Sequence, residues 1–523
     1  MFKSVRSLLA LSVLSATCIH AGAQSAEPTP GGTVIMALDA DPDSLSGAEG
    51  GRYGAEDVKA KIYEGLVWLD GESMPQPALA SEWTISGDGQ TYTFTLRDGV
   101  KWHDGENLTS ADVKFTFDEA LSQYHPRAAN MIRRVELQVE APDDNTVIFK
   151  LKQPYAPFLT QLSVMDAPII PEHIYAGTDI RTNPANDRPI GTGPFVFSGW
   201  ERGLSITLDR NPDYWDAPKP YLDRIIYQII PQPAGRVAAM ETGEVDFAAD
   251  YYLPKTDLPR LMDSGQFTVR EGGSLPAFYL AMMNLNGPVF DKQEARQAMA
   301  FALDRSRMAM QVMNRFGRPG IGAFSDGFRW MLNEEVNYST LYPLDPEKAK
   351  ELLAEAGIEP GTEVRVLYEA TRPQLVTTAQ LIREGLVAVG LQPILEPVEN
   401  TVLVQRIYER RDFDMAILSY FSSGDPAIGY HRLYLTNTEN AINTNGSGYS
   451  NPKVDELLNE ATAELDREKR GEIYRDVQLI LDQELPSLNL FEGQGADLAA
   501  PSLQGLFTSI DARARWGDVW VKQ

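Results

Sequence analysis

Residues 345 to 420 alternate strand and helix signals, and few folds accommodate such an alternation. "DPEKAKELLAEAG" begins with Asp345 as a helix cap and Pro346 at the first helical position, and ends at Gly357. "EVRVLYE" then reads as a strand, 374–389 as a helix, "LQPILEPV" as a strand, 401–410 as a helix and "FDMAILSY" as a strand. A β-α-β-α-β run of this kind implies right-handed crossovers and a mostly parallel sheet covered by helices. Such α/β sheets bind ligands beyond the carboxyl ends of their strands. The segment after "FDMAILSY", which is "SYFSSGDP" at 419–426, is therefore a candidate binding loop.

The rest of the chain divides around this lobe. Up to about residue 275 it is strand-rich. Thr33 to Leu38 is an apolar strand, and alternation predicts strands at 91–97, 134–140 and 146–151, with a hairpin turn at Asp143-Asp144-Asn145. Residues 193–210 read as a strand pair, 222–230 as a buried strand and 56–66 as a helix. Beyond 290 helices dominate, with Ala295, Met299, Ala302 and Leu303 on one face and two further helices at 452–465 and 467–484.

The first residues point to export. Lys3 and Arg6 precede an apolar run from Leu8 to Ile19, and Ala21-Gly22-Ala23 is a small-residue cleavage site, the pattern of a secretory signal peptide over 1–23. Thr17 poorly suits lipidation at Cys18, the single cysteine, so cleavage after Ala23 leaves a chain without disulfides that depends on its core for stability. Loss of Lys3 and Arg6 takes the formal charge from −26 to about −28, which disfavours nucleic acid and anionic lipid as partners.

Catalytic signatures are sparse. His103, His125, His173 and His431 are scattered, without HExxH or i,i+4 spacing, so no local metal site is expected. There is no GxSxG elbow. Trp102-His103-Asp104 resembles part of a catalytic triad, but each residue has a structural task. Trp102 favours burial, Asp104-Gly105 makes a turn, and Ser110 or Thr109 caps a helix whose Val113, Phe117 and Leu121 share one face. "GTGPF" at 191–195 lacks the lysine of a phosphate loop and reads as a turn leading into a strand. Tyr53, Tyr251, Tyr252, Tyr279, Trp330, Tyr420 and Tyr430 lie in loop-like text and suit a polar organic ligand, or the core.

"KIYEGLVWLDGE", "PALASEWTISGDGQTYTFTLRDGVKWHDGENLTSADVKFTFDEAL", "GTGPFVFSGWERGLSITLDRNPDYWD", "YPLDPEKAKELLAEAGI" and "YSNPKVDELLNEATAELDREKRGEIYRDVQLILDQELPSLNLF" follow one another along 33–515. This succession resembles the family 5 extracellular solute-binding proteins, the oligopeptide/dipeptide-type periplasmic receptors of ABC importers. The resemblance implies an α/β, two-lobed periplasmic-binding-protein clamshell. Lobe I would span 31–275, with 71–190 as an extra subdomain; lobe II would span 276–498, and 499–523 would return to lobe I. It further implies a periplasmic, monomeric protein without catalysis, cofactor or metal. Such a protein closes on a small solute and presents it to an inner-membrane ABC permease.

Family members differ in ligand. Peptide-binding relatives carry an acidic residue shortly before an Asp/Glu-Pro pair, and it pairs with the peptide ammonium. Here Asp425-Pro426 matches the pair, while Ser422 and Ser423 precede it. A buried ammonium without a carboxylate is costly, unless Asp425 itself serves. Other positions that match ligand-binding segments are Glu49, Gly50, Gly51 and Tyr53; Asp250 and Tyr251; Tyr279; and Ser419 and Tyr420. Arg329-Trp330 has no such support, yet its cation beside an aromatic suits a carboxylate or sugar ring. Two ligand readings stay open: an opine- or sugar-like solute, or a peptide with a rearranged amine site. Nickel or haem carriage and a secreted hydrolase are the remaining alternatives.

Overall fold

The computed structural model describes residues 27–51, 53–272, 277–421, 424–438, 441–509 and 516–522. The expected signal peptide, Cys18, Ser422 and Ser423 lie outside them. Among the described residues, two large mixed sheets organise the chain.

The first sheet has seven strands in the order Thr268–Glu271, Ala496–Ala499, Phe247–Ala248, Thr33–Leu38, Arg224–Ile229, Ser205–Arg210 and Phe195–Glu201. Thr33–Leu38 runs parallel to Arg224–Ile229, with Met36 opposite Tyr227, and its alternate residues are fully buried. "GTGPF" does lead into a strand, at Phe195. A Cβ on Gly191 would stand 1.9 Å from the Ile62 carbonyl oxygen, and one on Gly193 2.6 Å from it, so only glycine lets this turn lie on the helix Tyr53–Ile62.

The second sheet has six strands in the order Gly317–Pro319, Ser487–Gly493, Ala277–Met283, Met415–Phe421, Glu363–Glu369 and Gln392–Val398. The β-α-β-α-β run forms its parallel half, with Glu363 opposite Gln392 and Val366 opposite Met415. The other half is antiparallel, because Ala277–Met283, remote in sequence, pairs with Met415–Phe421, and Ser487–Gly493 pairs with Ala277–Met283 in turn. The expectation of a mostly parallel sheet therefore holds for half of it. Asp345 caps the helix Pro346–Glu355 by accepting from the amides of Glu347 and Lys348 at 3.1 and 3.0 Å. Each face of the sheet has its own apolar core, and these take alternate residues of Met415–Phe421.

A third, antiparallel sheet orders Ala80–Ile85, Thr91–Leu96, Thr146–Lys150 and Gln138–Asp143. The strand expected at 134–140 begins later, at Gln138. Pro126 starts a helix that runs to Val135, with His125 as its cap. Thr109 is the cap of Ser110–Phe115, and its amide donates to Asp112 Oδ2 at 2.9 Å. The helix continues through a π-helical turn, Thr116–Leu121, that still buries Phe117 and Leu121.

Trp102-His103-Asp104 joins this small sheet to the first one. Trp102 is buried, and Gly105 turns the chain at φ +96°. His103 Nε2 is 3.0 Å from the Gly193 carbonyl oxygen, and the Gly191 amide is 3.3 Å from its Nδ1. A carbonyl only accepts and an amide only donates, so the ring is the neutral Nε2–H tautomer. Burial agrees, lowering its pKa to about 4. Asp104 contacts His173 Nε2 at 2.7 Å. The three residues are a bracket between two sheets.

The chain passes from the first sheet to the second between Glu271 and Ala277, and back between Gly493 and Ala496. Gly272 donates its amide to the Gly495 carbonyl at 3.1 Å, tying the crossings together. No helix among the described residues is long and apolar enough to span a membrane.

Candidate functional site

A cavity of about 860 Å³ lies between the two large sheets and takes its walls from both. On the first-sheet side, Tyr53 opens the helix Tyr53–Ile62 and stacks on Tyr251, with ring centres 4.6 Å apart. The Tyr251 and Tyr252 hydroxyls both donate to Asp57 Oδ2, at 2.8 and 2.7 Å, which fixes the stacked pair.

Beside them is a cluster of four charges. Asp250 accepts from Lys255 Nζ at 3.1 Å and from the Gly495 amide at 3.0 Å. Asp497 receives Arg270 through Nε and Nη2 at 3.0 and 2.9 Å, and the Asp250 amide at 2.9 Å. Burial raises the Asp497 pKa to about 6, Arg270 pulls it down and Asp250 pushes it up. Arg127, on the helix Pro126–Val135, also lines the cavity and pairs with Asp166 at 2.5 Å.

On the second-sheet side, Tyr279 stacks on Phe491 at 4.6 Å. Arg372 sits just beyond the carboxyl end of Glu363–Glu369. It donates through Nη1 to Ser419 Oγ at 2.9 Å, and its Nε is 3.1 Å from Glu369. The hydroxyls of Tyr408 and Tyr420 are 2.9 Å apart, and Arg432 lies over the Tyr420 ring.

The residues singled out in the sequence fall into separate places. Tyr53, Asp250, Tyr251, Tyr279, Ser419 and Tyr420 line the one cavity. Glu49, Gly50 and Gly51 are not among its lining residues; they precede the helix at Tyr53, and the Glu49 carbonyl accepts from Lys59 Nζ at 2.7 Å. Arg329 and Trp330 lie on Asp326–Met331, away from the cavity lining, where Arg467 and Arg470 cover the Trp330 ring. Asp425 is also outside the lining. Its two oxygens accept from Arg470 Nη2 and Nη1 at 2.6 Å each, and Oδ1 also caps Pro426–Gly429 through the Ala427 amide. Asp425 is thus already paired with a buried cation away from the cavity. Ser422 and Ser423 are outside the described residues.

Sequence reasoning missed Arg127, Asp166, Lys255, Arg270, Glu369, Arg372, Tyr408, Arg432 and Asp497. For Glu369 and Arg372 a signal was present, since Glu369 closes "EVRVLYE" and Arg372 follows it, as Ser419 and Tyr420 close "FDMAILSY", at the same end of a neighbouring parallel strand. The Asp497–Arg270 pair joins residues far apart in sequence and leaves no local signal. His431 is buried outside the cavity, between Tyr474 Oη at 2.8 Å and Thr462 Oγ1 at 3.1 Å. No cluster of three metal-ligating side chains is present among the described residues.

Comparison with known proteins agrees with this architecture. Residues 74–441 match the model of bacterial extracellular solute-binding proteins, family 5. Di/tripeptide-binding protein 2 of Pseudomonas aeruginosa is 30% identical over 516 residues, covering 93% of each chain. Among solved structures, the Helicobacter pylori ABC transporter-associated periplasmic binding protein DppA, in complex with peptide STSA, superimposes with a TM-score of 0.76. It is 26% identical, and the match covers 95% of this chain and 99% of that one. The binding protein AgaA of A. tumefaciens R10, in complex with agropinic acid, also gives 0.76 at 26% identity, covering 94% and 99%. On this evidence the chain belongs to the bacterial extracellular solute-binding proteins, family 5.

Proposed function

We propose that this protein is a periplasmic receptor, monomeric and without catalytic activity, that captures a short peptide between its lobes for an ABC importer. The observation that carries the reading is the cavity itself. It is of a size suited to a small organic ligand, and it is walled by stacked tyrosines and by charges of both signs. A peptide offers matching groups: apolar stems for the tyrosines, a carboxylate for Arg372, and an ammonium for Asp250, Asp166 or Glu369. Arg372 is half exposed and anchored by Glu369 and Ser419, so its orientation is set before a ligand arrives. Contacts from both lobes favour a closed over an open arrangement by their difference in affinity, and an inner-membrane permease would then receive the closed form.

A second reading, an opine-like solute, is favoured by the engagement of Asp425 with Arg470, which removes one carboxylate from service to a free amine. A sugar-like solute makes less use of the cationic side chains in the wall.

Native mass spectrometry of protein purified without refolding, followed by thermal-shift assays with di- and tripeptides and opines, tests the two. Co-purified peptide and a melting point raised by peptides at excess over Kd are expected. Stabilisation by opines alone would replace the first reading with the second.

A further inference from the structure

We propose that Arg432 makes this receptor selective for solutes carrying an additional carboxylate, held against the part of the cavity wall that Arg432 lines. The inference rests on the cavity being the solute site. The cavity lining there includes Leu403, Val404, Ile407, Tyr408, Leu418 and Tyr420, which belong to one apolar core of the second sheet or pack against it. The hydroxyls of Tyr408 and Tyr420 bond one another.

Arg432, on the short helix His431–Tyr434, is the one charged residue that 400–443 contributes to the lining, among the described residues. It is half-buried. Its Nε donates to the Gly429 carbonyl at 3.2 Å, and its guanidinium carbon lies 4.9 Å from the centre of the Tyr420 ring. These contacts hold the plane of the group while both Nη groups have no hydrogen-bond partner among the described residues.

The other cations of the cavity differ. Arg127 has Asp166, Lys255 has Asp250, Arg270 has Asp497 and Arg372 has Glu369. The chain carries 73 acidic against 47 basic side chains, so a guanidinium in its cleft without a carboxylate among the described residues runs against composition. A half-buried cation is costly unless something pairs with it. Two parallel N–H groups on a ring-backed plane fit one carboxylate in bidentate fashion, and lysine has no equivalent geometry. The apolar side chains of this wall suit the methylene stem of such an acid. With Arg372 available for a terminal carboxylate, the group at Arg432 is a second one, such as a glutamate side chain.

The test is calorimetric titration of wild type, Arg432→Gln and Arg432→Lys with Ala-Glu, Glu-Ala, Ala-Gln, Gln-Ala and Ala-Ala. In wild type the better glutamate peptide should bind about tenfold or more tightly than its glutamine counterpart. Arg432→Gln should abolish that ratio, with a circular dichroism spectrum matching wild type to report a folded protein, and Arg432→Lys should restore part of it. An unchanged ratio in Arg432→Gln, or an equal loss for all five peptides, overturns the inference while leaving peptide capture intact. Absence of binding by all five in wild type overturns the inference and the peptide reading together.

Discussion

Asp425 and Arg470 are almost fully buried, and their side chains meet in a two-pronged pair at 2.6 Å per bond. Removing one partner leaves the other charge buried without compensation, which generally costs about 3–5 kcal/mol. Asp425→Ala is therefore expected to lose about that much stability in urea denaturation, part of it through the lost cap on Pro426–Gly429. Asp425→Ala combined with Arg470→Met should be more stable than Asp425→Ala alone. A loss below about 1 kcal/mol for Asp425→Ala would mean that this pair is not a structural tie. The same reasoning separates Arg470 from Arg432. One guanidinium in this lobe is satisfied by the protein and the other is open to the cavity.

The helix Arg467–Glu484 shows what an element adds to its residues. It is capped by Asp466, which accepts from the Glu468 and Lys469 amides, and it buries Tyr474, Gln478 and Asp482. Asp482 accepts from the Ala323 amide at 2.7 Å and from Gln478 Nε2 at 3.2 Å. Burial nevertheless raises its pKa from 3.8 to about 7. Between those values the folded chain holds a proton that the unfolded chain has released. This group therefore makes stability fall as pH rises from about 4 to about 7. Asp482→Asn cannot ionise, so urea denaturation across that range should show a flatter decline than wild type. Parallel curves for the two proteins would refute the assignment.

Elements of this kind were largely legible in advance, because caps and apolar periods act within a few residues. Asp345-Pro346 and the strands at 91–96 and 363–369 are cases. Residues 134–140 misled because the end of a helix and the start of a strand abut there, and alternation alone does not separate them.

At the scale of the whole molecule, the cavity and the two crossings between sheets share residues. Asp250 lines the cavity and also receives the amide of Gly495, in the second crossing. A Cβ at Gly495 would stand 2.0 Å from Lys255 Nζ and 2.6 Å from Asp250 Oδ2. Gly495→Ala must displace that ion pair and its hydrogen bond. It is expected to weaken solute binding by roughly tenfold, the scale of one charge-assisted hydrogen bond. Circular dichroism should show the sheets intact, and calorimetry measures the affinity. Unaltered affinity would show that the crossing and the cavity are uncoupled.

Sequence alone determined the strand-helix alternation over 345–420, the α/β class and the family resemblance, because these depend on local propensities and on motifs strung along the chain. It also pointed to Tyr53, Asp250, Tyr251, Tyr279, Ser419 and Tyr420, which the fold gathers around one cavity. Only the tertiary structure decided which charges meet. Asp497 reaches Arg270 across 227 residues and Asp425 reaches Arg470 across 45, while Arg432 is left without an acid among the described residues. Ion pairing depends on distance and burial in space, and neither is encoded in the neighbours of a residue along the chain.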